Sequence, residues 1–172
     1  MSTLPGRIDQ IGFVVPDLDH ALAYWTEFMG VGPFFVVPRF DLHGVDYRGT
    51  TCDLAIALAL AYSGSLQIEL VMPLDDTPSV FTQVPASNPH TVHHFGVLVE
   101  DFDQSLRVAK QSRVLTQRGQ TELMRHAFLQ CPEQSHGTCI ELLESTPAIR
   151  SLFEQVRVAS ETWNGDDPIR SL

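Results

Sequence analysis

No apolar run in this chain is long enough to cross a bilayer. The longest, residues 54–62 (LAIALALAY), falls well short of the roughly 20 residues that a spanning helix needs. The N-terminus does not show a charged start followed by an apolar core and a small-residue cleavage site, so a cytosolic (cytoplasmic) protein is expected. Basic residues are scarce: 11 Lys and Arg face 21 Asp and Glu, for a net charge of −10. They are scattered, and no basic run is available to neutralise phosphates, which excludes nucleic acid as the natural partner. Cysteine is sparse as well. Cys52, Cys131 and Cys139 are an odd number in no metal-like spacing, and they read as buried free thiols.

What the chain does contain is a repetition. Residues 8–19 read IDQIGFVVPDLD and residues 93–103 read HHFGVLVEDFD. One register sets Gln10 against His94 and Leu22 against Leu106. Each copy closes on a second echo, Ile68-Glu69-Leu70 and Ile140-Glu141-Leu142. With 172 residues, 44% of them hydrophobic, the expectation is one domain built from two similar halves.

Each copy reads strand, helix, strand, strand, strand. Residues 8–15 form a short apolar run ended by Pro16-Asp17, hence a buried strand. Asp17 or Asp19 can cap the helix that follows, because a carboxylate accepts from the free N–H groups of the first turn. Leu18, Leu22, Trp25 and Phe28–Met29 keep helical spacing. Residues 34–37 are strand-like and broken by Pro38. Residues 51–62 and 65–71 read as a hairpin about Ser63-Gly64. The second copy runs through a strand at 91–99, a helix carrying Phe102, Leu106 and Ala109, a weak strand near 114–116, and strands at 122–131 and 138–143. Between the copies lies a proline-bearing linker. Thr146-Pro147 is a good helix start, with a capping hydroxyl and proline at the first helical position; Ile149, Leu152, Phe153 and Val156 then line one face.

These motifs resemble the vicinal oxygen chelate superfamily, which includes glyoxalase I, methylmalonyl-CoA epimerase, extradiol dioxygenases and fosfomycin and bleomycin resistance proteins. The resemblance covers about residues 7–145. It implies an α+β fold in which two paired βαβββ modules form a curved mixed sheet around a cleft. The modules are 7–73 and 91–145, the linker is 74–90, and a C-terminal helix and tail occupy 146–172. It further implies that the first and last strands of each module supply metal ligands. By position these are Gln10, Glu69, His94 and Glu141. The order Gln, Glu, His, Glu looks like that of zinc-type glyoxalase I. The segment Glu69-Leu70-Val71-Met72-Pro73 with His93-His94 looks more like methylmalonyl-CoA epimerase, from which the chain departs at the first and fourth ligand positions.

One imidazole, two carboxylates and an amide oxygen suit a borderline or hard divalent ion such as Zn, Ni, Co, Mn or Fe. With no thiolate in the set, a structural zinc knot is not expected. The expected activity is a metal-dependent lyase or isomerase step that moves a proton next to a metal-bound carbonyl through an enolate. Glu141 is the first choice for the base and Glu69 the second. Two alternatives stand beside this. An extradiol dioxygenase holds iron with two histidines and a carboxylate, and Gln10 stands where the first histidine belongs. A metal-free resistance-type protein would sequester its ligand between two chains. A small-molecule substrate and a homodimer are expected, with no nucleic acid and no membrane partner.

The bland readings compete residue by residue. A lone Glu between apolar neighbours on a strand faces solvent, and a lone histidine is a satisfied core group. Repetition at matching positions raises Glu69, Glu141 and His94 above that, while Gln10 is the weakest donor. His93 falls on the opposite strand face by period-two geometry and reads as structural. His126 is placed to face the cavity, and His136 lies in the turn before Thr138. Arg39, Arg48 and Arg125 could hold a substrate anion, and Phe34, Phe35, Phe40 and Tyr47 could line an apolar pocket. Surface solvation is the better explanation for the three arginines, and core packing explains the four aromatics equally well.

Overall fold

A computed structural model describes residues 6–83, 91–130 and 138–172. The linker from 84, His136 and Cys131 fall outside the described residues. The first half runs β1 (Gln10–Val14), α1 (Leu18–Ala23), a π-helical turn (Tyr24–Phe28), β2 (Phe34–Tyr47), β3 (Thr50–Ser63) and β4 (Leu66–Pro73). The second runs β5 (Val92–Val99), α2 (Phe102–Ala109), β6 (Val114–Gln120), β7 (Arg125–Gln130) and β8 (Cys139–Glu144). Helix α3 (Pro147–Glu161) and β9 (Ile169–Ser171) complete it.

The strands make one mixed sheet in the order β3-β4-β1-β5-β8-β7-β6-β2-β9, and β2 also pairs with β3. The sheet therefore curls until its ends meet, as a barrel-like α+β fold. The two halves join at β1–β5, which is antiparallel, while β1–β4 and β5–β8 are parallel. Strand β2 is long enough to serve two partners on one edge. Its start pairs with β9 and its end with β6.

Period-two alternation sorts the side chains. On β3 the small Ala57, Ala59 and Ala61 lie beneath α1 with Leu18, Leu22 and Leu70. The alternate residues Leu54 and Ile56 turn inward, to Val14, Val71 and Phe128. Helix α2 covers Val97, Ala127 and Leu142. Helix α3 packs Ile149, Phe153 and Val156 on Leu60 and Leu143. The caps follow the sequence: Asp17, Asp101 and Thr146 accept from the N–H groups of His20, Gln104 and Ile149.

Several expectations need correction. Strand β2 does not stop at Pro38: its register against β3 shifts between Val37 and Phe40, a bulge that spares the residue without an N–H any ladder duty. The first helix changes to π geometry at Tyr24, which swings Phe28 and Met29 off the buried stripe; Phe28 is 77% exposed. The tail beyond the C-terminal helix adds a strand, since β9 extends the sheet and Trp163 lies over Gly32. Val80 and Phe81, in the expected linker, fill the barrel interior. The four aromatics do not line one pocket: Phe40 and Tyr47 are interior, Phe34 lies under α1, and Phe35 faces α3. Among the described residues no helix is long and apolar enough to cross a membrane.

Candidate metal centre

The register of the central strands builds two rows across the sheet. In one, Glu69 on β4, Gly12 on β1 and His94 on β5 stand side by side. In the other, Gln10 on β1, Gly96 on β5 and Glu141 on β8 do so. Each row thus places two polar side chains on either side of a glycine. The glycine is required sterically: a Cβ on Gly12 would fall within the His94 ring, and one on Gly96 would overlap Gln10 Oε1. This close approach, not backbone conformation, is what the two glycines supply. The alternation also answers the solvent reading of the glutamates. Ile68 and Leu70 lie under α1 and Leu142 under α2, so Glu69 and Glu141 turn inward.

Three donors converge there. His94 Nε2 lies 3.0 Å from Glu69 Oε2 and 3.3 Å from Glu141 Oε2. Among the described residues, Glu69, His94 and Glu141 form a metal-competent group whose donor atoms all lie within 4.8 Å of one another. His94 is fully buried, Glu141 buried and Glu69 half-buried. Burial, with the Glu69 charge second, pushes the Glu141 carboxyl well above the ordinary carboxylate range. Two like charges on one site resist joint ionisation.

Two buried polar atoms test whether these residues fit an ion. Despite its two near oxygens, His94 Nε2 makes no aligned hydrogen bond, and Gln10 Oε1 makes none either; both atoms are buried. A buried polar atom without a partner is costly. Ligands bound at about 2.1 Å to one ion stand roughly 3.0 Å apart on an octahedron and 3.4 Å apart on a tetrahedron. The separations of 3.0 and 3.3 Å lie in that interval, and off-axis oxygens are what a shared ion requires. The donor set fits a divalent cation.

The surroundings fix these donors. Gln10 Nε2 donates to Gln67 Oε1 at 2.8 Å, and Gln67 Nε2 donates to Tyr62 Oη at 3.2 Å. That order turns the Gln10 oxygen toward the interior. Burial raises the Tyr62 phenol to about 12. His93 departs from its expected place. The β1–β5 register shifts just past the Gly12–His94 pair, a bulge at His93 that suspends the two-residue alternation. Both rings consequently lie on the Phe128 side, with His93 Nδ1 3.0 Å from His94 Nδ1. Burial, then the neighbouring His94, depresses the His93 pKa to about 3.

The remaining candidates lie elsewhere. His126 is interior, edge-on to Phe128, and burial takes its pKa to about 4; it is not part of the three-donor group. Arg125 is tied to Glu144 and Asp103, Arg39 to Asp41, and Arg48 to Gln83. Cys139 is buried and Cys52 half-buried, neither in a disulfide. A cavity of about 490 Å³ between α1 and β1, walled by Phe13, Tyr24 and Trp25, opens on the outer sheet face and shares no residue with the donor group. Sequence reasoning missed Gly12, Gly96 and Gln67. The signal for the glycines was visible, since each stands two places after Gln10 or His94.

Comparison with curated proteins gives no match. Among solved structures, a hypothetical protein, BH1468 from Bacillus halodurans C-125, aligns with a TM-score of 0.56 at 20% identity, over 81% of this chain and 94% of that one. Methylmalonyl-CoA epimerase from Mycobacterium tuberculosis aligns at 0.54 and 23% identity, over 88% and 95%. A variant of the Streptomyces coelicolor epimerase in complex with 2-nitronate-propionyl-CoA aligns at 0.55 and 22%, over 83% and 96%. At such identities the likeness establishes the fold. The family is established by a match of residues 9–129 to the glyoxalase/bleomycin resistance protein/dioxygenase superfamily, and the chain belongs to that superfamily.

Proposed function

We propose that this protein is a divalent-metal-dependent lyase or isomerase that moves a proton next to a substrate carbonyl, as a glyoxalase or an acyl-CoA epimerase does. One observation carries the reading: Glu69 and Glu141 bring carboxylate oxygens to 3.0 and 3.3 Å from His94 Nε2, with no hydrogen-bond alignment to justify the approach. Glu69, His94 and Glu141, with Gln10 Oε1 as fourth donor, would hold a Zn, Ni, Co, Mn or Fe ion. Such an ion, when bound, supplies Lewis-acid polarisation of a carbonyl.

The chain's own residues do the rest. Glu141 is the proposed base and Glu69 the alternative. A carboxyl whose proton affinity is raised by burial can take a proton from carbon and return it near neutral pH. Phe81 and Phe128 beside His93 and His94 keep the inner wall apolar and limit water. Gln67 and His93 hold the amide and imidazole in place. An extradiol dioxygenase uses two histidines and a carboxylate, whereas this donor group offers one histidine. The methylmalonyl-CoA bound by a neighbouring epimerase suggests acyl-CoA thioesters as the first substrate class. A cytoplasmic homodimer belongs to the same proposal and is tested by sedimentation.

The test begins with the metal content of protein purified without chelator, beside Glu141→Ala. It continues with α-proton exchange in D2O, read by NMR, on methylmalonyl-CoA and on the hemithioacetal of methylglyoxal and glutathione. About one ion per chain, lost in the variant, together with metal-dependent deuterium uptake by either substrate, supports the reading. A chain that takes up no divalent ion, even after reconstitution, refutes it.

A further inference from the structure

His93 lies at the bulge, one residue before His94, and its ring is enclosed. Its partners are a carbonyl and another histidine, and among the described residues no carboxylate touches it. Nε2 is 3.0 Å from the Val80 carbonyl oxygen and Nδ1 is 3.0 Å from His94 Nδ1. A carbonyl can only accept, so His93 Nε2 must carry a hydrogen. A buried ring without a counter-charge is neutral, which leaves Nδ1 of His93 bare and able only to accept. The hydrogen in the His93–His94 contact then belongs to His94 Nδ1. It follows that a neutral His94 has its lone pair on Nε2, the atom that faces Glu69 and Glu141.

We infer that His93 is a positioning residue: it fixes the Nδ1-protonated form of His94 through a relay that begins at the Val80 carbonyl, and thereby aims the Nε2 lone pair at a cation between the two glutamates. The purpose of that lone pair rests on the function proposed above; the order of the hydrogens does not. Histidine ligands characteristically donate their second N–H to a carboxylate, carbonyl or water. Here a second histidine takes that place, anchored in its turn by Val80, whose side chain with Phe81 fills the same interior.

The first measurement is the histidine tautomer in the chelator-treated full chain, from long-range 1H–15N correlations on 15N-histidine protein. The expected result is hydrogen on His93 Nε2 and His94 Nδ1, with His93 Nδ1 bare. Hydrogen on His93 Nδ1 with a bare His94 Nδ1 overturns the inference, whether or not the protein binds metal. The second is Co2+ titration of His93→Phe and His93→Asn, each with its thermal midpoint. Losing the acceptor in His93→Phe should weaken Co2+ about 10- to 100-fold, while His93→Asn, which keeps an acceptor toward His94, should stay within about 3-fold of wild type. Equal losses in both variants, or loss in neither, overturn it. Wild type that binds no Co2+ refutes the metal reading, and the tautomer then decides the inference alone.

Discussion

Replacing Gly12 with alanine should disable the centre by one methyl group. The added Cβ would stand 1.8 Å from His94 Cε1, about half an ordinary carbon–carbon contact of roughly 3.5 Å or more. The imidazole must therefore shift by well over 1 Å, farther than a ligand could move and stay within bonding range of the ion proposed between Glu69 and Glu141. Gly12 is not in the left-handed region, so the cost is overpacking, about 1–3 kcal/mol, or a midpoint lower by about 2–12 °C in a chain of this size. Metal affinity should fall by at least about 100-fold, roughly 2.7 kcal/mol. Gly119→Ala is the matched control. Its Cβ would meet His126 Cε1 at 2.7 Å, another buried histidine, but one outside the donor group. Calorimetric titration with Zn2+ or Co2+ beside thermal unfolding separates the two. Both variants should lose stability, and only Gly12→Ala should lose metal. A folded Gly12→Ala that binds metal like wild type would falsify the placement of His94 at the centre.

Three further outcomes follow from named groups. Glu141→Gln in chelator should raise the midpoint at pH 8, because burial and Glu69 disfavour the Glu141 charge. The native-state pKa is raised, so the native state binds the proton more tightly, wild type loses stability as pH rises through that value, and the gain should shrink as pH falls to 4.5; a pH-independent difference refutes this. His126 works with the opposite sign: its native pKa is lowered from 6.5 to about 4, so unfolded chains take up the proton first and stability falls as pH drops from 6.5 toward 4. His126→Leu should flatten that acid limb by about 3 kcal/mol, measured by urea unfolding at stepped pH, and an unchanged slope would count against it. Phe153→Ala should cost about 3 kcal/mol in a single cooperative transition if α3 is part of the core, whereas early loss of α3 alone would show it to be detachable.

The features that could be read from the sequence are those the fold uses twice. The repeat exposed the strand pairs, the two inward glutamates and the equivalence of Gln10 with His94, because duplicated backbones put equivalent residues in equivalent rows. The features that escaped arise where a strand or helix departs from its period. A bulge at His93 turns two successive rings inward, a bulge past Pro38 lets β2 continue, and a π turn at Tyr24 redirects Phe28. None of these leaves a periodic mark, since each is a local accommodation to neighbours distant in sequence. Strand β9 escaped for a related reason: it forms because the first residues of β2 have an edge that β6, paired only near Tyr47, leaves open.

The two bulge-side histidines also make sense of an asymmetry in an otherwise repeated frame. Gln10 and His94 occupy equivalent seats, each over the other half's glycine. Across the parallel pairs, the lateral neighbour of Gln10 is Gln67, and that of His94 is Cys139. Gln67 offers an amide that can accept from Gln10 while donating onward to Tyr62. Cys139 offers a thiol, a weak acceptor at best, and its sulfur lies 3.5 Å from Gln130 Nε2. A thiol beside His94 is a poorer sideways support for an N–H than the amide beside Gln10. Bracing comes along the strand, and an unbulged strand would send residue 93 to the other face. The bulge removes that obstacle by bringing His93 around to His94 Nδ1. The bulge in β5 and the thiol at Cys139 thus stand where the first half has a regular strand and an amide. Introducing an amide with Cys139→Gln should reduce the penalty of removing His93, an interaction that a double-mutant cycle on metal affinity can measure. Strict additivity of the two substitutions would refute the coupling.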